Sequence, residues 1–303
     1  MRKFAISLIT ILLIGIGAFY GIKTWENQKN DLNQPQKSVQ KVSHINLVAL
    51  GDSLTEGVGD EKNMKGYSGR IAKKIRAQYN VSVTVSNFGK AGDRSDQIQK
   101  RLDTQQKFQK RLQKANVIVM TSGGNDLQQL LLKNVLATSP KTLSAAVKAG
   151  QQSYQQKLSA LIKDIRSYNS DAPIFIFGNY NPLYVHFADR SDFNDDVKLF
   201  NNINAQAAKE AGNAYFVSIF NLTYGQFKTT TQREGLIKES ANSNSSSNSN
   251  AAMTAVLTGQ KNVNNAWIST EDNYHPNNKG YNYMTTQLFN KMKKETKQWL
   301  IKQ

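Results

Sequence analysis

Apolar and polar positions along the chain follow two alternating rhythms. Short aliphatic and β-branched runs occur at Ile45–Leu50, Val81–Phe88, Val117–Met120, Ile174–Phe177 and Tyr215–Ile219, the pattern of buried strands. Between them, apolar residues recur at helical spacing. Gly66–Tyr79 carries Ile71, Ala72 and Ile75 on one face, and Ser95–Lys114 reads as one polar surface helix. Leu127, Leu130, Leu131, Val135 and Leu136 form a further stripe, followed by Leu143–Tyr168, Phe193–Ala211 and a closing helix from Lys279 to Leu300. Strands that alternate with helices in this way predict an α/β domain. Its architecture is a three-layer α/β/α sandwich around a flavodoxin-like five-stranded parallel sheet, built from right-handed crossovers.

Three segments stand outside that rhythm. Arg2 and Lys3 precede an uncharged, mostly apolar run from Phe4 to Ile22, long enough to cross a bilayer as a helix. The leading positive charge orients its amino end to the cytoplasm, so residues 1–22 are expected to be a transmembrane signal anchor. A cleaved signal peptide, releasing a secreted domain, is the rival. Residues 23–44 are polar and aperiodic and read as a linker spanning roughly 25 Å. The globular body is expected over 45–303 as one domain outside the cell membrane. Within it, residues 224–269 interrupt the pattern and include the low-complexity tract Ser240–Asn250, an inserted polar loop.

Composition narrows the chemistry. Cysteine is absent, so no disulfide, thiolate nucleophile or cysteine-ligated metal is available, and the imidazoles are His44, His186 and His275. The formal charge is +17, from 39 Lys and Arg against 22 Asp and Glu. No nucleic-acid recognition motif accompanies that charge. For a tethered monomer outside the cell, anionic lipid headgroups or anionic wall polymers are the partners it would attract.

The candidate chemistry sits at strand ends. Ser53 follows the first strand directly, where its hydroxyl lies at the sheet edge and its N–H at a helix start; Ser53-Leu-Thr-Glu56 also fits a capping box. The second strand ends in Asn87-Phe-Gly-Lys-Ala-Gly92, whose glycines suit close backbone approach. The third ends in Gly123-Gly-Asn-Asp126, where Asn125 offers an amide to an oxyanion and Asp126 fits a helix cap. Ser53, Gly89 and Asn125 would face one crevice beyond the carboxyl ends of the strands. Asp272, three residues before His275, is placed to orient that imidazole as the base a serine requires. The aromatic stretch Tyr180–Phe187 reads as a cleft wall, with His186 outside the chemistry.

In their order, Gly51-Asp-Ser-Leu54, Gly89, Gly123-Gly-Asn-Asp126 and Asp272-Asn-Tyr-His-Pro276 resemble the blocks of the SGNH hydrolases with the GDSL serine motif, in their bacterial lysophospholipase-like branch. The resemblance covers about residues 45–295. It implies the SGNH hydrolase fold and a carboxylic ester hydrolase with Ser53 as nucleophile, His275 as base and Asp272 as its orienter. Ser53 N–H, Gly89 N–H and the Asn125 amide would form the oxyanion hole, with no cofactor and no metal. Acyl esters such as lysophospholipids are the implied substrates. Cell-wall carbohydrate O-acetyl esters, and a non-catalytic binding module of the same fold, are the alternatives.

Overall fold

A computed structural model of the chain describes residues 21, 23–25, 40–134, 140–244 and 265–301. The chain divides into two units, 1–40 and 41–303. In the first, residues 21 and 23–25 are helical and Trp25 is exposed; the expected anchor over residues 4–22 lies almost wholly outside the described residues. Among the described residues no helix is long and apolar enough to cross a membrane.

The second unit is organised by five strands: β1 (His44–Gly51), β2 (Ser82–Gly89), β3 (Val117–Met120), β4 (Ile174–Phe177) and β5 (Ala214–Val217). All pair in parallel, in the order β2-β1-β3-β4-β5. Ten α-helices are described, α1 (Ser53–Glu56), α2 (Gly66–Tyr79), α3 (Ser95–Thr104), α4 (Gln106–Gln113), α5 (Gly124–Lys133), α6 (Pro140–Tyr168), α7 (Ser191–Glu210), α8 (Thr230–Asn244), α9 (Asn278–Lys294) and α10 (Thr296–Trp299). Because successive strand residues face opposite sides, Ile45, Leu47 and Ala49 join Val119 and Phe175 under α2 and α9. Val48 and Leu50 join Met120 and Ile176 under α3, α4, α6 and α7. Both faces of the sheet are therefore covered, which is why its strands read as continuous apolar runs rather than as alternating ones.

Strand order reverses beside β1, since β2 lies on one side of it and β3 on the other. That is the switch point at which an open parallel sheet leaves a crevice, and Ser53 stands just beyond it. Several local expectations change. The helix expected over Ser95–Lys114 is two, α3 and α4, broken at Gln105, whose backbone is extended. The expected closing helix likewise splits, at Glu295. The segment read as an inserted loop contains α8, whose Leu236 packs against Tyr184, Val185 and Ala188. Ser240, the first residue of the Ser/Asn tract, is buried and donates to Asp189 Oδ1 at 2.5 Å. Residues 245–264 lie outside the described residues.

Candidate active site

The turn after β1 is fixed by Asp52. Its Oδ1 accepts the Leu54 N–H at 3.0 Å and the Thr121 hydroxyl at 2.7 Å, so Asp52 and not Ser53 caps α1. The capping-box reading of Ser53 and Glu56 is thereby replaced: Glu56 instead accepts the Ala91 N–H at 2.5 Å. Burial pushes the Asp52 carboxyl up, against the opposing hydrogen bonds from Thr121 and Leu54. Freed from capping, the Ser53 hydroxyl lies 2.7 Å from His275 Nε2.

The other ring nitrogen, His275 Nδ1, stands 2.5 Å from Asp272 Oδ2. Asp272 Oδ1 accepts the N–H groups of Tyr274 at 2.9 Å and His275 at 3.0 Å, which folds 272–275 into a tight turn. Burial works to raise the Asp272 carboxyl, but the His275 ring and the two N–H groups outweigh it and hold the group down to about 2. A hydrogen bond of 2.6 Å from the Tyr180 hydroxyl to the Tyr274 carbonyl clamps the turn onto the loop after β4. The carboxylate is thus ionised and fixed, and the imidazole is oriented with one nitrogen on the serine.

The groups that line the cleft beside the serine differ from expectation in one position. Asn125, in the first turn of α5, gives one Nδ2 hydrogen to the Asp93 carbonyl at 2.9 Å and lines the cleft beside Ser53. Gly89, expected as a donor, spends its N–H on Asn87 Oδ1 at 2.8 Å. A Cβ there would lie 2.1 Å from the Glu56 nitrogen, so Gly89 is a packing glycine under α1. The glycine of this stretch that lines the cleft with Ser53, Asn125 and His275 is Gly92. Its φ is +82° and no atom lies within 4 Å of where its Cβ would stand, an open left-handed position that suits glycine. The sequence marked both glycines past β2 as points of close approach, and only the backbone path separates their roles.

Asp126 caps a neighbouring helix instead of its own. Its carboxylate accepts the Ser95 N–H at 3.0 Å and the Ser95 hydroxyl at 2.8 Å at the start of α3, and burial raises it despite both bonds. His186 lies in the loop after β4 and lines neither arm of the cleft. Among the described residues no three His, Asp or Glu side chains gather as a metal set.

The cleft forks at Ser53. One arm, an open groove, is lined by Leu127, Leu131, Leu132, Leu183, Phe193 and Val197, with Asp52, Asn179 and Asn181 among its polar groups. Of the stripe read from Leu127 onward, Leu127 and Leu131 line the groove while also packing on the core, Leu130 packs on the core without lining the groove, and Val135 and Leu136 lie outside the described residues. Of the stretch Tyr180–Phe187 expected as a cleft wall, Tyr180–Leu183 line the groove, whereas Tyr184 and Val185 pack against Leu236 of α8. The other arm is lined by Ala91, Gly92, Gln128, Leu183, Asp272, Asn273, Tyr274 and His275, a more polar set than that of the groove.

The chain is 28% identical over 296 residues to an uncharacterized protein, YpmR, of Bacillus subtilis (strain 168), covering 97% of this chain and 98% of that one. It is 29% identical over 161 residues to the spore germination lipase LipC of Bacillus licheniformis, covering 51% of this chain and 74% of that one. In fold it is similar to the lipase Lip_vut3 from a goat rumen metagenome, with a TM-score of 0.59 at 20% identity over 82% of this chain and 97% of the other. Residues 49–283 match the model of the GDSL-like Lipase/Acylhydrolase family, and the chain belongs to that family.

Proposed function

We propose that the protein is a serine ester hydrolase that forms an acyl-enzyme on Ser53 and cleaves esters joining one apolar acyl chain to a polar alcohol. The observation that carries this is the fork, with a leucine-lined groove on one side of Ser53 and, on the other, an arm richer in polar groups. The His275 imidazole takes the Ser53 proton as Oγ attacks the ester carbonyl. Ser53 N–H, Gly92 N–H and the second Asn125 Nδ2 hydrogen stabilise the oxyanion. When the C–O bond breaks, His275 returns its proton to the departing alcohol. Water then attacks the acyl-enzyme with His275 again as base, releasing the acid and restoring Ser53.

Lysophospholipids and monoacyl glycerides have this build, and the likeness to the LipC lipase supports a lipid ester. A carbohydrate O-acetylesterase would leave the groove unused. The apolar run at 4–22 and the charge of +17 support an anchored domain outside the membrane, near anionic lipid or wall polymer.

The full chain and Ser53→Ala, assayed on nitrophenyl esters from acetate to palmitate and on acetylated glycans, test the reading. Each methylene buried in the groove contributes about 0.8 kcal/mol, so kcat/KM should rise about fourfold per methylene until the groove is filled. A maximum at acetate, or activity on glycan acetate alone, would favour the acetylesterase. Absence of turnover on every ester would leave a binding module.

A further inference from the structure

Three donors on three separate segments must be held to a common centre if the proposed chemistry is to work. Ser53 follows β1, Gly92 lies in the loop after β2, and Asn125 stands at the start of α5. We infer that Arg101, in α3, is the positioning residue that sets these segments against one another, an inference that rests on the hydrolase reading above. Its guanidinium lies behind the cleft and lines neither arm.

The planar fork reaches each segment. Nη2 donates to the Gly51 carbonyl at 3.0 Å, two residues before Ser53. Nη1 donates to the Phe88 carbonyl at 2.9 Å, at the end of β2. Nε donates to Asp93 Oδ2 at 2.5 Å, next to Gly92, and the Asp93 carbonyl in turn accepts from Asn125. A single side chain is thus bonded to the serine turn and to the glycine loop, and is one residue removed from the Asn125 amide.

A purely structural role explains this poorly. The Arg101 and Asp93 side chains are 14% and 8% exposed, and burying such a pair costs about as much in desolvation as the attraction returns. The β1 and β2 ends are already paired through Gly51 and Gly89, and the Lys90 N–H donates to the Gly51 carbonyl at 3.0 Å. What the fork adds is fixed geometry, since a guanidinium holds several acceptors in one plane and a lysine ammonium does not. Donors of this kind must sit within about 0.5 Å of their productive positions.

The test uses the full chain with Arg101→Met, Arg101→Lys and Asp93→Asn. Three readouts are taken: kcat and KM on nitrophenyl butyrate, the rate of fluorophosphonate labelling of Ser53, and amide hydrogen exchange over residues 89–95. Loss of part of one donor's alignment should lower kcat about 10- to 100-fold in Arg101→Met. KM should stay within about twofold, labelling should slow in proportion, and exchange over 89–95 should quicken. Arg101→Lys should recover less than about a tenth of the lost rate, because one ammonium cannot span the three acceptors. If Arg101→Met does not fold, Arg101→Lys and Asp93→Asn carry the same comparison.

Folded variants with wild-type kcat, or with a raised KM alone, would overturn the inference, as would full rescue by lysine. A wild-type protein that neither turns over esters nor labels at Ser53 would instead defeat the hydrolase reading. In that case the exchange over 89–95 still decides whether Arg101 orders the loop, and unchanged exchange rejects it.

Discussion

Replacing Asp272 by Asn changes one atom's chemistry and leaves its turn in place. The Asn Oδ1 can still accept the N–H groups of Tyr274 and His275, which lie at 2.9 and 3.0 Å from the present carboxylate oxygen. Its Nδ2, however, replaces the oxygen that faces His275 Nδ1 at 2.5 Å, and an amide nitrogen donates where a carboxylate accepts. The imidazole must then carry its proton on Nε2, so the nitrogen 2.7 Å from Ser53 Oγ becomes a donor and cannot take the serine proton. The expected loss in kcat is on the order of 10³- to 10⁴-fold, or about 4–5 kcal/mol in the barrier. Since hydrogen bonds hold the carboxyl down to about 2 against the effect of burial, Asp272 is ionised at any assay pH above 4, and the comparison holds across that range. Thermal unfolding and kcat on nitrophenyl butyrate should be measured together. A folded Asp272→Asn protein that keeps more than about a tenth of the wild-type kcat would refute the orienting role.

The remaining predictions touch the groove, the glycines and a buried acid. Val197→Trp should fill the groove and flatten the rise of kcat/KM with acyl length while acetate turnover survives; an unchanged chain-length profile would remove Val197 from the acyl path. Gly92→Ala has room for its Cβ but a φ of +82°, so it should cost about 1–2 kcal/mol of stability and lower kcat. Gly89→Ala must displace the Glu56 backbone, so its loss is mainly of stability, roughly 1–3 kcal/mol. Catalysis lost at Gly89 with stability intact would return the donor role to that residue. Asp196, buried in α7 beside Ser144, is raised to about 6 by burial and by the charges of Asp192 and Asp195. Its ionised form is disfavoured in the fold, a penalty that is absent below the unfolded value near 4, grows as pH rises through 6 and is complete above it. Asp196→Asn should therefore stabilise the protein at pH 7.5 by up to about 3 kcal/mol and by much less at pH 4; equal melting shifts at both values would contradict this.

The strands were legible because a parallel sheet covered on both faces leaves unbroken aliphatic runs, as in Val117–Met120 and Ile174–Phe177. Ser53, Asp272 and His275 were legible because each stands at a fixed offset inside a distinctive local pattern. The glycine that lines the cleft was not, because Gly89 and Gly92 look alike in sequence and differ only in where Asn87 and Glu56 draw the backbone. Gln105 breaks α3 from α4 without glycine or proline, so helical periodicity ran through it. Arg101 was invisible for a related reason: in a polar helix it reads as one more solvated charge, and only the tertiary contacts to Gly51, Phe88 and Asp93 distinguish it. Asp126 misled in the same way, since the helix it caps is α3, 31 residues earlier in the chain.

The central claim is that Ser53 is acylated during turnover. A fluorophosphonate probe applied to the full chain, followed by peptide mass spectrometry, addresses it most directly, because the phosphonyl group reports only a serine activated by its neighbours. One adduct is expected, on Ser53, lost in Ser53→Ala and strongly slowed in His275→Ala, with ester turnover falling in parallel. An adduct on another serine, or ester turnover that survives Ser53→Ala, would contradict it.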